Sequence, residues 1–238
     1  MMWRIKLVAL LLIVSVWTAP VAAEFAPPGS DGPICDSLAD YFLGTEDYPE
    51  AIRLHLEVLQ RDPNSALAHY HLGFAYGMVG QTGEEIREYE RAVALGLRIF
   101  DLFLNLGVAR FERGDLGGAT QALQTASNLS DWPDVHFNLA LVYERRGMLR
   151  EAEIEVHRAL SQRPNNPDYL NILAVVAADR GNVAQARDIW LEILSNHSQY
   201  LPALANLRIL HAFQSATASL TLPVARMPRS LVSSKTTR

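Results

Sequence analysis

The chain has 238 residues and 49% of them are apolar, which is enough to bury a continuous core, so we expect a folded protein and not a mainly disordered one. The formal net charge is −5, but residues 24–214 carry 26 acidic side chains against 15 arginines. This acidic body argues against nucleic acid as the main partner, because neutralising phosphates needs clustered lysine and arginine.

Residues 1–23 have the pattern of an export signal. Arg4 and Lys6 make a basic start, an apolar stretch follows, and small residues precede Glu24. We expect cleavage after Ala23. The alternative is an uncleaved membrane anchor, for which the apolar stretch reaches only the short limit of a bilayer span. In either case the rest of the chain is expected on the outer side of the membrane.

The predicted compartment is the bacterial periplasm. After residue 23 the chain has a single lysine, Lys235, beside many arginines, and this composition is typical of a protein from a GC-rich bacterium. An uncleaved N-terminal segment would instead leave the protein anchored in the inner membrane and facing the periplasm. Secretion from the cell is the third alternative.

The segment after the export signal, residues 24–34, reads as a spacer, because its prolines and glycines disfavour a helix. Cys35 follows the spacer and is the only cysteine of the chain, so no disulfide can form within one molecule. We expect Cys35 to be a buried and unreactive thiol.

From Cys35 onward the sequence repeats itself at a regular interval. One ladder consists of glycines, and a second, mostly of alanines, runs in step with it: Gly80, Gly114, Gly147 and Gly181, beside Ala51, Glu85, Ala119, Ala152 and Ala186. Each unit holds two stretches with apolar residues at i, i+3, i+4 and i+7, which predicts two helices per unit. The glycine between them suits the left-handed conformation that ends a helix.

The repeated residues and their interval resemble the tetratricopeptide repeat (TPR). The fourth unit shows the pattern well, with His136, Leu139, Ala140, Tyr143, Gly147, Ala152, Val156, Ala159 and Pro164. The resemblance implies an all-α fold, a right-handed superhelical solenoid of about five helix-turn-helix units. We place the units at about 35–65, 66–99, 100–132, 133–166 and 167–200, followed by a capping helix at 201–214 and a disordered basic tail at 215–238.

The second unit departs from the repeat at two positions. Glu85 stands where the other units have alanine, and Leu97 stands where the repeat has its closing proline. We therefore expect looser packing, or a shifted helix, between the second and third units.

No group of residues has the pattern of a catalytic or metal site, so we predict neither an enzyme nor a bound cofactor or metal. His69 and His71 are two residues apart and would point to different faces of a helix, so they cannot share an ion as an i, i+4 pair could. His69 and His136 both stand at the fourth position of a unit, where we expect core or half-buried side chains.

By the resemblance, the first helix of each unit lines a groove that binds a partner. The residues that face this groove would be Leu67, Tyr70, Phe74 and Met78 in the second unit, Asp101, Leu104, Val108, Phe111 and Glu112 in the third, Asp134, Phe137, Leu141, Glu144 and Arg145 in the fourth, and Asp168, Asn171, Val175 and Asp179 in the fifth. This apolar wall with acidic edges favours a segment with apolar anchors and some basic charge, either extended or as an amphipathic helix.

The predicted function is that of a scaffold or adaptor of the cell envelope, which holds another envelope protein or a peptide segment. The membrane would take part only through an uncleaved N-terminal segment. One alternative is a structural role, in which the face from Leu204 to Phe213 joins copies into a homo-oligomer. Another is an accessory subunit of an envelope enzyme complex.

Overall fold

The computed structural model describes the backbone of residues 35–220 and the side chains of residues 35–212. This part of the chain contains eleven helices and no strand. Ten helices form five pairs, each within one predicted unit: α1 Ser37–Gly44 and α2 Tyr48–Arg61; α3 Ala66–Met78 and α4 Thr82–Ala94; α5 Phe100–Glu112 and α6 Leu116–Leu129; α7 Pro133–Arg145 and α8 Leu149–Gln162; α9 Pro167–Asp179 and α10 Val183–Asn196. The predicted export signal, the spacer, and the tail beyond residue 220 lie outside the described residues.

The turn inside each pair is made by one residue with a left-handed backbone. Glycine takes this position in four units, with φ of 75° at Gly80, 80° at Gly114, 74° at Gly147 and 89° at Gly181. The first unit uses Glu46 instead, with φ of 63°. A left-handed residue ends a helix and reverses the chain within a few residues, so the glycine ladder of the sequence fixes where each first helix stops.

Small residues let the two helices of a pair approach closely. A Cβ atom on Gly107 of α5 would lie 2.6 Å from Cγ of Leu123 on α6, and one on Gly73 of α3 would lie 2.6 Å from the ring of Tyr89 on α4. Alanine is fully buried at the facing position of the second helix in four units, at Ala51, Ala119, Ala152 and Ala186. The second repeat ladder therefore marks the helix–helix contacts within the units.

The second unit accommodates Glu85 because the facing residue on α3 is Gly77. A Cβ atom on Gly77 would lie 2.7 Å from Oε1 of Glu85, so the carboxyl group of Glu85 occupies the space that a side chain at Gly77 would fill. This carboxyl group is half-buried between α3 and α4. The shapes of Glu85 and Gly77 are thus complementary, because a side chain at position 77 would clash with the glutamate.

The junction between the second and third units is the thinnest in the array. Helix α4 contacts α5 less extensively than α2 contacts α3, α6 contacts α7, or α8 contacts α9. Helix α4 ends at Ala94, Gly96 follows with a φ of 94°, and the N–H of Leu97 donates to the carbonyl of Ala92 at 3.1 Å. Leu97 thus belongs to a glycine-type helix end, whereas the first and fourth units have Pro63 and Pro164 at this position.

Helix α11, Leu201–Leu220, closes the array and continues past residue 214, where we placed the end of the capping helix. Ala203 and Leu210 are buried in the same cluster as Trp190, and Leu207 packs against it. Much of the face that we considered for self-association is therefore covered by the preceding unit. Among the described residues, no helix has both the length and the apolar character needed to cross a bilayer.

Candidate partner-binding surface

The first helices of successive units form a continuous layer. Helix α1 contacts α3, α3 contacts α5, α5 contacts α7, and α7 contacts α9, whereas no comparable contact joins the second helices of neighbouring units within residues 35–220. The first helices are therefore more closely spaced, and the array curves toward them. We call this the first-helix layer, and all the predicted groove residues lie in it.

Six of the predicted groove residues are buried inside the array, so the predicted groove was too extensive. They are Leu104, Asp134, Phe137, Leu141, Asn171 and Val175, each at most 8% exposed. The apolar members of this set pack in the cores that join neighbouring units, and the ring of Phe137 lies 5.1 Å from that of Tyr169. These side chains stabilise the array and are not available to a partner.

Two of the predicted acidic residues accept hydrogen bonds from tyrosines farther along the array. The hydroxyl of Tyr169 donates to Oδ1 of Asp134 at 2.5 Å, and the hydroxyl of Tyr200 donates to Oδ1 of Asp168 at 2.7 Å. Asn171 has a similar role, because its Oδ1 accepts hydrogen bonds from Nε1 of Trp190 and from Nδ2 of Asn206, both at 3.0 Å. Polar side chains that looked like ligand contacts therefore join the fourth unit to the fifth, the two helices of the fifth unit to each other, and the fifth unit to α11.

The remaining predicted residues reach the surface of the first-helix layer. They are Leu67, Tyr70, Phe74, Met78, Asp101, Val108, Phe111, Glu112, Glu144, Arg145, Asp168 and Asp179. Two of the aromatic side chains also pack within the protein, since Tyr70 lies 6.0 Å from the ring of Tyr89 and Phe74 lies 6.5 Å from that of Tyr48. A further half-buried aromatic side chain, which also packs against the core on one side, lies farther along the array in the third unit.

This side chain is Phe111. Its half-buried ring lies at the end of α5, and Cζ of the Arg145 guanidinium on α7 is 5.3 Å from the ring centroid. This is the geometry of a cation–π contact, and it shows that the ring face can hold a cationic group. Phe111 and Arg145 belong to adjacent units, so a partner lying on this face would contact both.

Several carboxyl groups of the array have raised pKa values. Burial raises the pKa of Glu144 to about 7, and the nearby negative charge of Asp179, which shares a hydrogen bond with it, adds to this rise. Burial likewise raises the pKa of Glu85 to about 8, with a further contribution from the charge of Glu112. Sequence reasoning treated Glu85 only as a packing irregularity. The repeat interval places Glu85 within its unit, but it does not show that Glu112 lies nearby.

Three of these four carboxyl groups lie where the first helices end. Glu112 is the last residue of α5 and Asp179 the last of α9, while Glu144 is the second-last of α7. Helix C-termini carry partial negative charge, so these positions favour a cation for two reasons. The surface therefore combines an aromatic ring with a series of cation-attracting carboxyl groups.

The predicted structural histidines pair with glutamates of their own units. Nδ1 of His69 lies 2.6 Å from Oε2 of Glu88, and Nδ1 of His136 lies 2.7 Å from Oε2 of Glu155. The hydrogen bond with Glu155 raises the pKa of His136, although burial of the ring opposes this rise. Histidine and glutamate are equally far apart along the chain in both units, so these pairs tie the first helix to the second in the same way.

Comparison with known proteins finds both similar sequences and similar folds. The sequence model of the tetratricopeptide repeat matches residues 137–200. The chain is also 25% identical over 147 residues to "Tetratricopeptide repeat protein 8" of Caenorhabditis elegans. That match covers 60% of this chain and 29% of the relative, so the chain spans under a third of the relative's length.

Several solved structures have the same fold. YrrB, described as a TPR protein with an unusual peptide-binding site, superposes with a TM-score of 0.69 at 22% identity, covering 73% of this chain and 90% of YrrB. MamA of Desulfovibrio magneticus has a TM-score of 0.64 at 16% identity, covering 68% and 93%. A tetratricopeptide repeat protein of Parabacteroides merdae has a TM-score of 0.69 at 15% identity, covering 78% and 74%. The predicted all-α helical-repeat solenoid is confirmed.

Proposed function

Because this chain is a tetratricopeptide repeat protein, we propose that it is a protein-binding scaffold whose first-helix layer holds a peptide segment or helix of another protein. Proteins of this family are generally scaffolds and not enzymes. The peptide-binding site in the description of YrrB supports the same kind of partner for this chain. The bound segment would carry a basic residue next to a large apolar one.

The observation that carries this proposal is the arrangement around Phe111. A half-buried aromatic ring offers apolar contact area at small entropic cost, which is typical of residues that dominate binding energy. Glu144 and Asp179 place negative charge one and two units farther along the same layer. A segment with an apolar anchor and a Lys or Arg can satisfy both features at once.

The raised pKa values give this binding a definite dependence on pH. A carboxyl group with a pKa of about 7 or 8 is largely neutral at pH 6 and largely ionised at pH 9. Only the ionised form attracts a Lys or Arg side chain strongly. We therefore expect the affinity for a basic segment to rise as the pH increases from 6 to 9, with proton release on binding below pH 8.

Peptide display against the full-length chain tests the proposal. We expect the selected peptides to be enriched in Lys or Arg beside an aromatic or large aliphatic residue. Phe111→Ala should weaken binding of such a peptide by at least about tenfold in fluorescence anisotropy, because it removes the apolar contact. Leu191→Ala is the matched control, since Leu191 is 52% exposed on the second helix of the fifth unit.

The control defines the outcome that would contradict the proposal. If Leu191→Ala weakens binding while Phe111→Ala does not, the partner binds the second-helix side of the array and not the first-helix layer. Circular dichroism of both variants establishes that the helices are retained. Because Phe111 also packs against the core, urea denaturation of both variants must show that the loss of binding is not a loss of folding.

We also propose that the scaffold works in the bacterial envelope, most simply in the periplasm. The support comes from the basic and apolar pattern of residues 1–23. A fusion of residues 1–34 to alkaline phosphatase, which is active only after export, should be active in bacteria. The same fusion without residues 1–23 should be inactive, and equal activity of the two fusions would refute the export proposal.

A further inference from the structure

Three side chains with metal-binding donor atoms meet at the beginning of the array. Cys35 precedes α1, His55 lies on α2 and His71 lies on α3. One donor atom from each of them lies within 4.8 Å of the other two. His55 is completely buried and His71 is 5% exposed, while Cys35 is half-buried, so the cluster is closed on the protein side and accessible through the cysteine.

The orientation of His55 is that of a metal-binding histidine. Its Nδ1 lies 2.8 Å from the carbonyl oxygen of Ala51. A carbonyl can only accept, so Nδ1 carries the proton and donates. Nε2 is then the atom that faces the cluster. Metal-bound histidines characteristically donate from one ring nitrogen to a carbonyl or carboxylate and bind the ion with the other.

Asp40 organises all three candidate ligands. Its Oδ1 lies 2.7 Å from Nδ1 of His71 and 3.2 Å from Nε2 of His55, and its Oδ2 accepts a hydrogen bond from the backbone N–H of Cys35 at 3.2 Å. Asp40 contacts the nitrogen of His55 that faces the cluster, so a bound ion would replace this contact and the carboxylate would stay beside the ion. Four side chains from three separate parts of the chain therefore converge on one point.

We propose that Cys35, His55 and His71 bind a Zn²⁺-type transition metal ion, with Asp40 facing the fourth coordination position. One thiolate and two imidazoles form a donor set that suits zinc, and the thiolate together with the Asp40 carboxylate balances a doubly charged ion. Tetrahedral zinc holds its sulfur and nitrogen donors about 3.5 Å apart. The observed separations need only a small inward movement of the side chains.

Binding of the metal releases protons. The Cys35 thiol loses its proton to the solvent as the sulfur–metal bond forms, and each imidazole binds through a nitrogen lone pair, so a proton that this nitrogen shares with Asp40 must leave as well. The ion would join the segment before α1 to helices of the first and second units. Since α1 is the shortest helix among those described, this link would hold the least extensive element of the array in place.

The site was not found from the sequence because its residues are far apart in the chain. Cys35 stands one repeat before His69 and thus occupies in the first unit the same inward position, and His55 likewise stands one repeat before the fully buried Tyr89. The sequence did contain one indication of the site, because Cys35 and His55 are metal-binding residue types at repeat positions that face each other within a unit. His71 joins them from the next unit.

Cobalt titration of the full-length chain, after removal of metals with a chelator, tests the proposal. We expect one equivalent of Co²⁺ to bind and to give the sulfur-to-cobalt charge-transfer absorption of a thiolate ligand. Zn²⁺ should then displace the cobalt and abolish the band, and it should raise the Tm of the metal-free protein, because a ligand that binds only the folded state stabilises it. A wild-type protein that binds no Co²⁺ would overturn the proposal.

Two variants distinguish this site from adventitious binding. Cys35→Ser keeps the shape of the side chain but removes the thiolate, so it should abolish the charge-transfer band and weaken Zn²⁺ binding by more than about 100-fold. His69→Gln is the matched control, because His69 lies on the same helix as His71 but pairs with Glu88 outside the cluster. It should leave metal binding unchanged.

A second measurement covers a Cys35→Ser variant that fails to fold. In the wild-type protein Zn²⁺ should slow the reaction of Cys35 with a thiol reagent, since the bound sulfur is no longer a free nucleophile. An unchanged rate of modification, retention of the cobalt band in Cys35→Ser, or its loss in His69→Gln would each show that the cluster is a hydrogen-bonded structural network and not a metal site.

Discussion

Trp190→Ala should lower the free energy of unfolding by about 3–5 kcal/mol, the usual cost of truncating a fully buried large aromatic side chain. Trp190 has no exposed surface and is the largest side chain of the core. It packs in the cluster that joins the fifth unit to α11, together with Ile193 and Leu210. Its truncation therefore leaves a cavity at the junction between two elements, where the helices cannot easily close the gap.

A lost hydrogen bond adds to the cost of the Trp190 truncation. Nε1 of Trp190 donates to Oδ1 of Asn171 at 3.0 Å inside the protein. Urea denaturation followed by circular dichroism measures the effect, and the Tm should fall by about 10 °C. Leu191→Ala is the control in the same helix, because Leu191 is 52% exposed. Its Tm should fall by no more than about 2 °C, and an equal fall in the two variants would contradict the assigned core.

Glu85→Gln should make the protein more stable at pH 8 by about 2 kcal/mol while changing little at pH 5. Burial raises the pKa of Glu85 from 4.5 to about 8 in the folded protein. Between these two values the folded state holds a proton that the unfolded state has lost, so stability falls as the pH rises. This gain in unfolding free energy is smaller than the difference between the two pKa values alone would give, since the side chain is only half-buried and solvent screens its charge.

The glutamine variant removes the ionisation but keeps the volume and the ability to donate a hydrogen bond. The difference in unfolding free energy between the variant and the wild type, measured by urea titration from pH 5 to pH 8, should therefore grow steadily with pH. Glu84→Gln is the control, because it removes a charge from the same turn of α4, where the carboxylate pairs with Arg87 at 2.8 Å. A constant difference for Glu85→Gln across this range would contradict its buried position.

The repeat pattern was sufficient to predict the helix pairs and their turns. Gly80, Gly114, Gly147 and Gly181 predicted the left-handed turns because backbone geometry at those positions depends on one residue. The end of α11 was predicted less well, since the sequence from residue 215 to Leu220 has no strong apolar period and helices continue by local propensity.

The surface was harder to predict than the fold. A repeat position tells which way a side chain points, but its exposure depends on what the next unit places against it. Phe137 is covered by Tyr169, and Asp134 accepts the hydrogen bond of the same tyrosine. Both contacts join residues of different units, and no local pattern encodes them. The Cys35 cluster escaped prediction for the same reason.

The thin contact between α4 and α5 has a consequence for how the array unfolds. In a linear array each unit is stabilised mainly by its neighbours, so cooperativity passes along the chain only as far as each junction transmits it. The other junctions between units are more extensive, and the one between the fourth and fifth units also carries the hydrogen bond from Tyr169 to Asp134. We therefore expect the array to unfold as two cooperative blocks that meet at the α4–α5 junction, with the cysteine–histidine cluster in one block and Phe111 in the other.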